Sequence, residues 1–186
     1  KMGSSLLEGW SLLSLISEIL IIEPNQESIS KDLIKFKKFN FYSDLLEIEN
    51  SNFFDITVLA VKPQVMKDVV IKLSDQNIKS NAWLSIAAGL PVNFFENYLG
   101  DNQAIIRTIP NTPSSILKGI TAMYFNINCN SQIIENAEML MNAVGETIKV
   151  NNEELMDAYT AVSGSGPAYI YYMVEAMIDA GIQIGI

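Results

Sequence analysis

Gly3 and Glu23 stand 20 residues apart, separated by one amphipathic stretch and one short apolar run. That is the separation at which a nucleotide-binding α/β unit sets its last turn glycine and the carboxylate that holds a ribose. Chance, or an ordinary helix cap, explains a single such pair equally well. Three more punctuated segments follow apolar runs: Ala60-Val61-Lys62-Pro63-Gln64, Ala87-Ala88-Gly89 and Pro110-Asn111-Thr112-Pro113. Small residues and prolines at strand ends leave bare backbone that a flat ligand can approach, and in open α/β sheets ligands lie outside those ends. Taken singly, each segment is also an ordinary strand-to-helix loop. Further on, Ser163-Gly164-Ser165-Gly166-Pro167 reads as a flexible hinge, with Ser165 as a cap and Pro167 in the first turn of a new helix.

Composition narrows the chemistry. The 186 residues contain no histidine and one cysteine, Cys129. Ser-His-Asp and Cys-His catalysis, imidazole metal sites, an internal disulfide and cysteine-rich zinc sites are thereby excluded. What is left is carboxylates, hydroxyls, lysine, the backbone or a borrowed cofactor. Twelve basic and 21 acidic residues give a net charge of −9, which argues against nucleic acid as a partner. No run is apolar enough to span a bilayer, and residues 12–22 lack the basic leader of a signal peptide, so a membrane is not expected and a reducing cytoplasm is. With 49% hydrophobic residues, the chain has material for a proper core.

Those loops need elements to hold them. Apolar periodicity predicts helices over residues 2–17, 28–37, 65–73, 92–99 and 131–144. Short apolar or β-branched runs predict strands over 19–22, 39–42, 55–61, 83–88, 104–109, 119–125 and 146–150. A short helix or loop is expected in the acidic stretch up to Asn52, and Gly145 suits a left-handed helix C-cap. The alternation predicts an α/β fold, a doubly wound and mostly parallel sheet with helices on both faces. A long apolar helix follows the hinge.

The segments KMG (residues 1–3), AVKPQ (60–64), SIAAGL (85–90), RTIPNTP (107–113) and AVSGSGPAY (161–169) together resemble pyrroline-5-carboxylate reductase, in order and over the whole chain. The last two are the specific ones. This resemblance implies a Rossmann domain for NADPH or NADH over residues 1–150 and the start of an all-α dimerisation domain over 151–186. It also implies a dimer or decamer, and hydride transfer to the imine carbon of 1-pyrroline-5-carboxylate, a small-molecule substrate. By the same resemblance Lys1, Met2 and Gly3 belong to the dinucleotide turn, and Glu23 to the ribose. Ala60, Val61, Lys62, Pro63, Ile86, Ala87 and Ala88 line the cofactor. Glu153 aligns with a substrate-pocket residue, although a solvated acid at a helix start reads equally well.

Two departures from the family pattern stand out. The first strand and the first half of the glycine-rich turn would precede Lys1, which leaves two strand edges without partners. A Gly-Gly-Thr-Thr-like segment, which supplies the family's substrate-binding hydroxyl, would follow Ile186, so no catalytic residue is assigned. A polypeptide limited to these residues is expected to be inactive, whether as a piece of a longer protein or as a truncated relative that binds nucleotide or a partner. A related dehydrogenase of the 6-phosphogluconate or hydroxyisobutyrate type is the other alternative.

Overall fold

The computed structural model describes residues 1–49 and 53–186. Its first helix, α1 (Met2–Ser11), buries Leu6 and Trp10 and stops six residues short of the expected end. The reason lies at its carboxyl end. Leu12 and Leu13 donate to the carbonyls three residues back, tightening the last turn, and the Lys38 ammonium takes the carbonyls of Trp10 and Leu13 at 2.8 and 2.7 Å. Strands β1 (Ile19–Ile22) and β2 (Phe39–Tyr42) form a parallel pair of their own. Between them the helix expected over 28–37 is replaced by separate 3₁₀ turns, Gln26–Ser28 and Leu33–Lys35. Ser28 Oγ donates to the Asn25 carbonyl and Ser30 Oγ accepts from Asp32 N, local bonds that compete with a continuous helix. A 3₁₀ turn at Leu45–Glu47 meets the expectation for the acidic stretch, whose last residues, 50–52, lie outside the described ones.

A minor parallel pair, β3 (Phe53–Phe54) with β5 (Lys79–Ser80), flanks the main sheet. The main sheet runs β4 (Thr57–Leu59), β6 (Trp83–Ser85), β7 (Ile105–Ile109), β8 (Gly119–Phe125) and β9 (Gly145–Lys149) in that order. Only the β7–β8 pairing is antiparallel, so the sheet is mostly parallel as expected. Among the described residues β1 pairs only with β2 and β4 only with β6.

Strand alternation explains the layers. Trp83 and Ile105 face Met66, Val70, Val92 and Phe95, which belong to helices α2 (Pro63–Asp75) and α3 (Val92–Leu99). Leu84 and Ile106 face Leu6 and Trp10 of α1 and Ile133, Ala137 and Met141 of α4 (Ser131–Asn142). Both sheet faces are therefore covered, and the chain is doubly wound. Each fully buried Met, Leu or Ile side chain in these layers contributes about 1.5–3 kcal/mol.

The carboxyl-terminal part differs most from expectation. Helix α5 (Met156–Tyr159) passes through a π-helical turn, Thr160–Gly164, straight into α6 (Gly166–Ile184). The Ser-Gly-Ser-Gly-Pro stretch is thus a widened helical turn and not a hinge. Ser165 holds the N-cap position of α6, with Pro167 in the first turn as expected, but its side chain makes no capping bond. Its N–H and Oγ both donate to the Thr160 carbonyl, five residues back, at 2.9 and 3.2 Å. No residue of α6 is buried, and its surface carries Tyr172, Val174, Ile178 and Ile182.

Gly145 likewise has a different task. It opens β9 at φ +149°, opposite Gly119, while α4 ends on Ala143 in a right-handed conformation. A Cβ on Gly145 would lie 2.0 Å from the Gly119 carbonyl oxygen and 2.4 Å from its nitrogen, backbone atoms that cannot turn aside. Gly145→Ala should therefore lower folding stability by about 3 kcal/mol or more, measured by urea denaturation. A change below about 0.5 kcal/mol would mean that the β8–β9 contact yields more than its geometry allows.

Candidate functional site

Because β4, β6 and β7 are mutually parallel, their carboxyl ends share one rim. Ala60, Val61 and Lys62 leave β4 there, with Lys62 as N-cap of α2 and Pro63 in its first turn, where the missing N–H costs nothing. The first turn of α1 comes close to the same place, since a Cβ on Gly3 would stand 3.6 Å from Ala60 Cβ. Lys1 and Met2 precede it, and Lys1 provides no side-chain cap. Beyond β6 the expected strand end bends away. Ile86 N–H makes the last bond to β4, at the Leu59 carbonyl. Ser85 Oγ then accepts from Ala87 N at 3.2 Å and the Ser85 carbonyl accepts from Thr108 Oγ1 at 2.9 Å, and Ala87 and Ala88 turn out of the ladder. Gly89 then adopts φ +76°, with nothing within 4 Å of where a Cβ would sit. Glu23 follows β1 directly. Its Oε1 accepts from Asn25 N at 2.9 Å, and Gln26 Nε2 ties the carbonyls of Glu23 and Tyr42 at 2.6 and 3.1 Å. The carboxylate is held by its own backbone at the end of the strand.

Glu153 sits apart from this group, at the start of the 3₁₀ turn Glu153–Leu155. Its Oε1 accepts from Arg107 NH1 at 2.6 Å and from Val92 N at 2.7 Å. Arg107, the only arginine in the sequence, is 5% exposed on β7. Nearby, Asn111 is also buried. Its Nδ2 donates to the Ser163 carbonyl at 3.2 Å and its Oδ1 accepts from Ile120 N at 2.9 Å. The α-helical donor for that Ser163 carbonyl would have been residue 167, a proline without an N–H. Asn111 thus joins the loop after β7 to the π-helical turn. Neither Arg107 nor Asn111 was assigned a role from the sequence. A charged residue inside an otherwise apolar strand was the available signal for Arg107.

The rest of the chain offers little competing chemistry. Burial pushes the Cys129 thiol up to about 11, so it stays protonated and poorly nucleophilic near neutrality. Among the described residues no three His, Cys, Asp or Glu side chains gather for a metal, and no helix is long and apolar enough to cross a membrane. A cavity of about 360 Å³ beside Trp83, Ile78 and Gln103 lies at the opposite end of β6 from the rim.

Residues 153–186 match the family described as pyrroline-5-carboxylate reductase dimerisation. A pyrroline-5-carboxylate reductase of Pseudomonas aeruginosa is 40% identical over 132 residues, covering 71% of this chain and 48% of that protein. One of Methanosarcina acetivorans is 31% identical over all 186 residues, covering 68% of that protein. Among solved structures, the Plasmodium falciparum pyrroline carboxylate reductase with NADP bound superposes with a TM-score of 0.82 at 28% identity, over 100% of this chain and 67% of that one. The chain spans about half the length of the first curated relatives, 48% and 55% of them. With the rim at the carboxyl ends of a doubly wound sheet and a relative that aligns along the whole of this chain, the chain belongs to the pyrroline-5-carboxylate reductase family.

Proposed function

We propose that the protein containing these residues reduces 1-pyrroline-5-carboxylate to L-proline with NADH or NADPH, in the cytoplasm, as the last step of proline biosynthesis. The observation that carries this reading is the rim, where four family segments (residues 1–3, 60–64, 85–90 and 107–113) converge on one end of the parallel strands. Residues 1–150 form the dinucleotide-binding domain on this reading, and 151–186 begin the dimerisation domain. The rim fits a dinucleotide. Lys1, Met2 and Gly3 bring a helix amino end toward the pyrophosphate, where backbone N–H groups and the helix dipole favour an anion. Glu23 receives a ribose hydroxyl. Ala60, Val61, Lys62 and Pro63, with Ile86, Ala87 and Ala88, offer small side chains and open backbone along the rest.

The bound cofactor supplies the hydride. A protonated cyclic imine is already an electrophile, so this chain needs no strong base; its residues orient the two rings, exclude water and hold the cofactor-side loops still. That demand suits a sequence without histidine. The direct test is proline formation from 1-pyrroline-5-carboxylate and NADH by the protein made from its own reading frame. Cofactor binding without any proline would overturn the activity and favour the inactive relative.

Two further outcomes belong to this reading. Glu23 would repel a 2′-phosphate, and the chain's one arginine is already paired with Glu153 and cannot compensate. NADH should therefore serve at least as well as NADPH in kcat/KM, and Glu23→Gln should shift the ratio toward NADPH by about tenfold. A wild-type enzyme that strongly prefers NADPH would refute the assignment of Glu23. As for self-association, a dimer, or a decamer built from dimers, would cover the uncovered apolar surface of α6. Ile178, 57% exposed, lies within it. Ile178→Asp should convert the dimer to monomer in light scattering at micromolar protein; an unchanged mass would place the interface elsewhere.

A further inference from the structure

The resemblance assigns Glu153 to the substrate, yet both of its recorded contacts are made inside the protein and on the same oxygen. Helix α3 begins after Pro91, which has no side-chain acceptor to cap it. Oε1 of Glu153 supplies the missing cap from 61 residues away, accepting the Val92 N–H at 2.7 Å. A carboxylate is the best such cap, because it meets both an orphan donor and the positive end of the helix dipole. The same oxygen neutralises Arg107, whose guanidinium is buried and whose Nε has no partner of its own. Arg107 could not be there uncompensated, since a lone buried charge is strongly destabilising.

Position makes the contact more than a local one. Glu153 is the first residue of the dimerisation match. Val92 ends the stretch that leaves β6 through Ile86, Ala87, Ala88 and the open Gly89. Arg107 lies on β7 between them, opposite Tyr124 of β8 and Ser85 of β6. One carboxylate oxygen therefore connects the helical segment, the central strand and the loop after β6. Asn111 makes a second connection from the end of β7 to the same helical segment, at Ser163.

We infer that Glu153 and Arg107 are positioning residues that fix the loop of residues 86–90 against the start of the helical segment, so that Glu153 governs cofactor binding instead of contacting the imine. This rests on the reading in which Ile86, Ala87 and Ala88 line the cofactor. Glu153→Gln keeps an acceptor for Val92 N–H and removes the charge that holds Arg107. Arg107→Lys keeps the charge and loses the planar fork.

The test uses the full protein and measures four quantities on the wild type, Glu153→Gln, Glu153→Ala and Arg107→Lys. They are NADH dissociation by nicotinamide fluorescence, KM for the imine, hydrogen exchange of the Val92 amide, and the urea midpoint. Glu153→Gln should weaken NADH binding about three- to tenfold while the imine KM stays within about twofold. Glu153→Ala should speed exchange at Val92 by about tenfold, and Arg107→Lys should fall between wild type and Glu153→Gln in NADH affinity. A rise in imine KM with NADH affinity and Val92 exchange unchanged would overturn the inference and make Glu153 a substrate contact. A lower urea midpoint with both binding constants unchanged would also overturn it, leaving a merely structural pair. If the wild type binds NADH but turns over no imine, the NADH and exchange measurements still decide the inference while the activity reading fails. A wild type that binds no NADH defeats both.

Discussion

A buried positive charge constrains the middle of this structure. Arg107 interrupts an otherwise apolar or hydroxyl-bearing strand at the point where the core under α2 and α3 gives way to the smaller cluster of Ile109, Ala122, Val150 and Met156. A charge in that place needs a carboxylate, and the carboxylate comes from the far side of β9. The chain after the last strand is therefore not free to leave the sheet in any direction. It must pass over the carboxyl end of β7 so that Glu153 can reach both Arg107 and the amino end of α3. Replacing a buried ion pair by apolar side chains is often as stable, but here it would lose the fixed direction.

The reversal at β8 serves the same end. After three parallel strands, β8 returns antiparallel to β7, and α4 crosses over to β9. The paired glycines at positions 119 and 145 let the two chains start their ladder in contact, with Ser114 packed behind. β9 therefore runs toward the amino end of β7, with Val150 N–H on the Met123 carbonyl at the level of Thr108 and Arg107, and the 3₁₀ turn begins just beyond it. Asn111 then fastens the π-helical turn at the carbonyl that Pro167 leaves without its helical donor. Sheet order, glycine contact and two polar connections all act on one short piece of chain.

Much of this was legible from residue patterns. Helix α3 and strand β8 fall where periodicity puts them, because their apolar stripes are unambiguous and their ends carry proline or glycine. Strand ends were overestimated at β4 and β6. There, apolar Ala60, Val61 and Ala87 leave the ladder for the rim, and hydropathy does not distinguish a rim from a strand. The helix expected over 28–37 dissolved into turns through serine side-chain bonds that periodicity ignores. At the Ser-Gly-Ser-Gly-Pro stretch, Ser165 and Pro167 open α6 as expected, and only the hinge is replaced, for a different reason. Its glycines permit a hinge, but long-range contacts from Asn111 and the i to i−5 bond at Ser165 select a wide helical turn. No local rule contains that information. The Arg107–Glu153 contact, 46 residues apart in sequence, was out of reach for the same reason.

A chain with such sparse acid–base equipment narrows what its site can be asked to do. Within these residues Cys129 keeps its proton, the one arginine is paired with Glu153, and there is no histidine to move a proton near neutrality. On the proposed reading, adding hydride to an electrophile that arrives already activated asks little of side chains, since holding two planar reactants in register is the main task. Rigidity then takes the place of reactive side chains. On the proposed reading loose loops at the rim would misplace the cofactor, and the ion pair and the asparagine behind it tie that rim to the helical segment.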